Sequence, residues 1–155
     1  MTVTIDGNGF IAGLDDPLVV AHLNADQVIP DATFTTVIFN TEVVDSAGNY
    51  NPATGLFTAS VAGWYQVGWI VSLVSSTYDS NANVLTALYR NGTSYRRGTQ
   101  AIATLSMHAS VGNALVLLAV GDTLSVRGYM DVTGTIVADG GQDTTAFDVK
   151  LVQRT

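Results

Sequence analysis

An all-β fold is what this sequence predicts: a jelly-roll sandwich of about ten strands in two stacked antiparallel sheets. Three observations predict it. Apolar residues recur at every second position in run after run. These runs are short, and Gly, Asn, Asp and Pro bound them at regular intervals. No stretch carries a convincing 3.6-residue period of useful length.

The clearest run lies in residues 39–73, FNTEVVDSAGNYNPATGLFTASVAGWYQVGWIVSL. Phe57, Ala59 and Val61 share one side of a short strand, and Gly63 breaks it. Tyr65, Val67, Trp69, Val71 and Leu73 then fall on a single face. Such a strand needs partners, and the rest of the chain reads as those partners.

Residues 1–17 hold two short apolar pieces about Gly7–Asn8–Gly9, the pattern of a small hairpin or an N-terminal arm. The main domain is expected over 18–155. Its first strand is 18–24. Phe34 to Val44 gives one long strand or two short ones, followed by a turn-rich loop at 45–54. Strands follow at 55–61 and 64–74, then a polar loop over 75–83 and a strand at 84–89. Asn91–Gly92 is a tight-hairpin dipeptide, so Asn91–Gly92–Thr93 reads as a turn before it reads as a glycosylation acceptor. The return strand is 93–97, and another spans 101–111. Ala114 to Val120 is almost continuously apolar and too short for a helix, so it reads as a strand buried on both faces. Gly121–Asp122 turns into a strand at 123–132, with Leu124, Val126, Gly128, Met130 and Val132 on one side. The closing strand is 144–152, with Thr145, Phe147, Val149 and Leu151 together.

Composition narrows the function. The 155 residues suffice for one domain with a real core. They are 47% hydrophobic but only 12% charged, against roughly 25% in an ordinary soluble domain. Either the apolar excess fills a large two-sheet core, or part of it is buried between subunits. Net charge is −7 and the six basic residues are scattered, with only Arg90, Arg96 and Arg97 close together, which argues against nucleic acid. There is no cysteine, hence no disulfide or thiolate chemistry. No secretory signal is legible at the start. No apolar stretch reaches the roughly 18 residues of a membrane helix.

Candidate sites are few. No Gly-x-Ser-x-Gly elbow occurs and Glu42 is the only glutamate, so no catalytic residues are assigned and no enzyme is expected. His22 and His108 lack metal-ligand spacing. Asp79, Asp131, Asp139 and Asp143, with Asn81, are loop or strand-end oxygen ligands that would hold calcium if their loops converged. Tyr78 and Tyr95 lie in or near loops, and with Arg96 they are the candidate ligand-binding residues.

The stretch TVIFNTEVVDSAGNYNPATGLFTASVAGWYQVGW resembles the signature region of globular C1q domains, in the C1q/TNF-like superfamily. The matching positions are Phe39, Tyr50, Thr54–Gly55–Leu56–Phe57 and Gly63–Trp64–Tyr65. Gly112 to Leu118 with Gly121–Asp122 is similar to the family's apolar strand and Gly-Asp turn, and Phe147 to Leu151 to its closing strand. Two positions depart from the pattern: Val67 stands in place of Phe, and Asp148 in place of Gly. The resemblance covers about 18–153 and no collagen-like stalk is present. It implies a compact homotrimer that buries apolar side chains near its threefold axis, with calcium near that axis in some relatives. The absence of cysteine and of a signal sequence suggests the bacterial or phage structural type. The expected function is then a non-enzymatic trimeric structural or recognition module of a surface or phage tail assembly, joined to it through residues 1–17. The alternative is a lectin-like module for a glycan or protein receptor. The expected location is extracellular or on a virion surface, or cytoplasmic if assembled before release.

Overall fold

Thr4–Ile5 (β1) pairs with Ile11–Ala12 (β2) in a small antiparallel ladder. The computed structural model describes these four residues, 16–132 and 134–155, with side chains described for 16–77, 81–102, 107–132 and 134–155. Most of the expected N-terminal arm thus lies outside the described residues. Asp16 and Pro17 are tied to the main domain: Arg154 Nη2 donates to Asp16 Oδ1 at 2.8 Å, and the Leu151 N–H donates to the Pro17 carbonyl at 2.9 Å.

Leu18–His22 (β3) is followed by Gln27–Ile29 (β4), Thr35–Thr36 (β5), Thr41–Asp45 (β6), Tyr50–Asn51 (β7) and Leu56–Thr58 (β8). Two long strands come next, Gly63–Arg90 (β9) and Thr93–Leu118 (β10). Thr123–Asp131 (β11), Ile136–Ala138 (β12) and Ala146–Arg154 (β13) complete the chain.

β9 and β10 form one hairpin, turned at Asn91 (φ 49°) and Gly92 (φ 76°). Two successive positive φ values make the mirror-image turn that suits strand twist, which is why Asn-Gly stands there. Fully extended, the 28 residues of β9 would span about 90 Å, whereas a domain of this size is only about 40 Å across. The hairpin must therefore bend, and its register shifts at Ala103/Leu105 and Leu105/Met107 mark where it does. Its two ends enter different layers. The first sheet runs β6-β3-β13, then the early half of β9, then the late half of β10 at the edge. The second holds the late half of β9 between the early half of β10 and β11, with β5 and β8 beyond β11 and β7 beyond β8. β12 adds to β9 at 73–75 and carries β4 on its other side. The result is the expected two-sheet jelly roll, with pairs of the predicted strands fused across the bend.

Residues 75–83, expected as a polar loop, are strand. Their side chains show no apolar alternation; the backbone ladder opposite, through Ile102, Ala103 and Leu105, holds them extended. The partner supplies that constraint, so side-chain period could not reveal it.

The core forms where the two inner faces meet. Tyr65, Val67, Trp69, Val71 and Leu73 are all buried, as their alternation predicts. They face Val84, Leu88, Leu124, Val126 and Met130 from the second sheet, with Phe147, Val149 and Leu151 alongside. Phe39 stacks on Phe147 at 5.3 Å, and Phe57 meets the edge of Tyr65 at 5.6 Å. One polar chain crosses this interior. Trp69 Nε1 donates to Thr86 Oγ1 at 2.7 Å, Thr86 Oγ1 shares a 2.8 Å bond with Ser110 Oγ, and Ser110 Oγ donates to the Thr99 carbonyl at 2.6 Å. The buried indole and hydroxyl groups are thus satisfied. Gly112 lies against the Trp69 ring, where any Cβ would overlap it.

Candidate functional site

Ala114 to Leu118 is the last stretch of an edge strand. Ala114, Val116 and Leu118 are buried, as a core strand requires. The expectation of burial on both faces does not hold within one subunit: Met107, Val111, Leu115 and Leu117 point outward and stay 59%, 44%, 47% and 42% exposed. A core-like sequence therefore has one face that no described residue covers.

Register shows what else shares that face, because residues directly opposite one another point the same way. Val111, Ile70, Ala146 and His22 form one row across β10, β9, β13 and β3. Asn113, Gly68, Asp148 and Val20 form the next, and Leu115, Gln66, Lys150 and Leu18 the third. Leu117 lies opposite Trp64, and Met107 opposite Val74. The charged members are Asp148 and Lys150 on β13, and His22 on β3 adds an imidazole. The face is otherwise apolar or uncharged.

Asp148 is the residue in the family's Gly position, and the structure shows how it fits. A Cβ on Gly68 would stand 2.6 Å from Asp148 Oδ1, so the glycine makes room for the carboxylate to lean across β9. Desolvation in this setting raises its pKa above the usual aspartate value.

The free edge of β10 is partly closed by the other half of the same strand. Thr99 Oγ1 accepts the Val111 N–H at 2.9 Å, and the Tyr95 hydroxyl donates to the Leu115 carbonyl at 3.2 Å. Unpaired edge groups invite indiscriminate pairing, so these side chains leave the face, not the edge, as the open surface. Sequence reasoning missed this role for Thr99 and Tyr95.

The other sequence-predicted residues lie apart. Tyr95 keeps 40% exposure and Arg96 beside it is exposed. The side chains of Tyr78 and Asp79 lie outside those described. Asp131 is exposed at the end of β11, opposite Asn83. Asp139 shapes a turn, its N–H donating to the Ser72 carbonyl at 2.8 Å and its carbonyl accepting from Thr144 Oγ1 at 3.2 Å, and Asp143 is exposed in the same turn. Among the described residues, no group of three or more His, Asp or Glu has metal-holding geometry. His22 Nδ1 and His108 Nε2 are each buried without a protein partner.

Arg90 does not join Arg96 and Arg97 in a basic patch. Its Nη2 donates to Asp122 Oδ2 at 2.7 Å, Asn91 Nδ2 donates to Oδ1 at 2.7 Å, and the Ala119 N–H donates to Oδ2 at 2.9 Å. The Asn91 amide first, then the Ala119 N–H and Arg90, hold the Asp122 carboxyl down at about 2. Asp122 thereby clamps the β9–β10 turn to the β10–β11 turn.

Solved structures share this architecture. The globular domain of zebrafish complement 1qA protein superposes with a TM-score of 0.68 at 17% identity, covering 90% of this chain and 99% of that one. Eiger TNF from S. frugiperda gives 0.66 at 12% identity, covering 91% and 95%. Murine APRIL gives 0.63 at 11% identity, covering 88% and 99%. These are animal proteins, and they correct the expectation of a bacterial or phage structural type. That expectation leaned on the lack of cysteine and of a legible signal at the start, and neither feature carries lineage. No curated protein matches the sequence. Among the described residues, no helix is long and apolar enough to cross a membrane. The family profile of the C1q domain matches residues 20–148, and the chain belongs to that family of non-catalytic recognition domains.

Proposed function

We propose that the chain is a homotrimeric recognition module that closes on the outer face of its first sheet and works outside the cell. The observation that carries the reading is the uncovered stripe of Met107, Val111, Leu115 and Leu117, extended by Ile70, Val74 and Trp64. A contiguous apolar surface of this kind costs free energy in water and marks an interaction face. A closed ring of copies removes it without leaving an open end. Three as the number of copies comes from the family resemblance. Similarity to complement and TNF-type domains supports the extracellular setting.

Light scattering at micromolar concentration tests this directly. The expected mass is about three times the 16.3 kDa of one chain. A stable single copy would overturn the reading.

A ligand-binding reading of the outer loops has its own support in the half-exposed Tyr95 ring beside exposed Arg96. Screening a glycan array with the parent chain and Tyr95→Ala tests it; equal signals from both would remove Tyr95 from that role.

A further inference from the structure

The outer face of the second sheet carries charge that assembly on the first sheet does not use. Arg97 on β10, Ala87 on β9 and Arg127 on β11 stand opposite one another in a single row. Both arginines therefore rise from the same face, two strand spacings or about 10 Å apart at the backbone. Tyr89 lies in the next row, opposite Ser125, and Leu85 lies opposite Tyr129 on the other side. The Arg127 guanidinium carbon sits 4.1 Å from the centre of the Tyr89 ring. Phe34 packs on Tyr129 at 4.8 Å and on Tyr89 at 6.0 Å. Beneath this cover Leu85 and Ala87 are buried, although neither belongs to the main core.

The unpaired charge is the telling feature. Of the six basic residues, Arg90 is bound to Asp122 and Arg154 to Asp16. Among the described residues, neither Arg97 nor Arg127 has a carboxylate at ion-pair distance, in a chain with thirteen acids. Arg127 Nε is buried with no acceptor. Its guanidinium has thus already lost hydration on one side and is held flat by the Tyr89 ring. An incoming carboxylate on its terminal nitrogens would meet a group whose ordering is done, and guanidinium–carboxylate pairs are strong and directional. Arg and Tyr are also the residue types that anchor protein interfaces. Asp131 stands on the same face four residues from Arg127, so an acidic ligand is repelled from that end and drawn towards the arginine row.

We propose that this face docks an acidic segment of a protein partner. Arg127 and Arg97 each take a carboxylate, and Tyr89, Tyr129 and Phe34 pack against the segment between them. A two-point cationic row about 10 Å long suits carboxylates two residues apart on an extended chain, which share a face about 7 Å apart and lie within the reach of two arginine side chains. A single small anion would occupy only one point.

The test is an NMR titration of the full chain with the peptide acetyl-Gly-Glu-Tyr-Glu-Gly-amide and with its glutamine counterpart. Saturable shifts are expected at the Ala87 and Tyr89 amides and at the Arg127 Nε–H, with affinity about tenfold lower for the glutamine peptide. Added salt should weaken binding. Arg97→Gln, at an exposed position, should lower affinity about three- to tenfold with an unchanged melting temperature. Arg127→Lys keeps the charge and loses the fork, so it should weaken binding at least as much. If Arg127→Lys disturbs folding, Arg97→Gln decides alone. Equal shifts from both peptides, no saturable shift, or an unchanged affinity for Arg97→Gln would overturn the proposal. So would free glucuronate shifting the same amides at lower concentration than the peptide, which would make the face a site for acidic sugars.

Discussion

The two sheets of this domain have outer faces that solve the same problem differently. On the second sheet, Phe34, Tyr89, Tyr129 and Arg127 lie over Leu85 and Ala87 and bury them within the subunit. On the first, Val111, Leu115 and Leu117 extend outward, exposed and without cover from the described residues. Both faces come from the same period-two pattern. The difference lies in which side chains are long enough, and which neighbouring segments close enough, to cover the apolar floor. A face closed from within is free to meet other molecules through its charges. A face left open buries its apolar groups only when another molecule covers it, which in the proposed trimer is a second copy.

The sharpest way to break this comparison is to charge each face in turn. Leu115→Glu should dissociate the assembly, because closing it would bury an unpaired carboxylate at a cost of several kcal/mol. The mass by light scattering should fall to the 16.3 kDa of one chain. Arg97→Glu, on the other outer face, should leave the mass unchanged. If both variants dissociate, or neither does, the two faces are not distinct in the way proposed.

Next in size is the interior that joins the sheets at their β10 edge. Gly112→Ala puts a methyl group into the Trp69 ring and should cost about 1–3 kcal/mol. Denaturant unfolding checks this, and the Trp69 fluorescence should shift with it. A silent Gly112→Ala would mean that the ring does not lean on β10 as described.

A smaller effect is expected at the turn clamp. Asp122→Ala removes the acceptor for Asn91, Ala119 and Arg90, whose bonds are exposed or partly buried, and should cost about 1 kcal/mol. Its carboxyl is held at about 2, below its ordinary value of 3.8. A lowered carboxyl pKa stabilises the fold above the unfolded value, and that contribution is lost as pH falls towards the folded one. The parent should therefore lose stability between about pH 4 and pH 2 more steeply than Asp122→Ala, as melting curves across that range will show.

The smallest effect tests the first face again. Desolvation raises the Asp148 pKa, so the folded state opposes its charge more than the unfolded chain does. Assembly would desolvate it further, and association should tighten as pH falls through that raised value, with Lys150 and His22 as the other charged or titratable groups in the neighbouring rows. Asp148→Asn should associate a few-fold more tightly at neutral pH and lose most of that pH dependence. Sedimentation at two pH values measures both.

Several of these features are legible in the sequence alone. The buried set Tyr65 to Leu73, the inward face of β11 and the Asn91–Gly92 turn follow from side-chain period and backbone preference, which are local. The two-sheet class follows from counting such runs, and the family likeness from an ordered set of motifs around them. The candidate site was only half legible. The apolar run at 114–120 announced burial, yet it could not say whether the second face is covered by this chain or by another.

What the sequence determined by itself is which side of each strand is apolar, because alternation is written residue by residue. Tertiary structure alone decided which of those sides is covered. It carried 75–83 through as strand because a partner ladder lay opposite. It brought Arg127 beside Tyr89 and into a row with Arg97, thirty residues away in the chain, because β9 lies between their strands. It closed the β10 edge with Thr99 and Tyr95 from the same strand after the bend. Each of these depends on register between distant segments, and register is a property of pairing that no single strand's pattern contains.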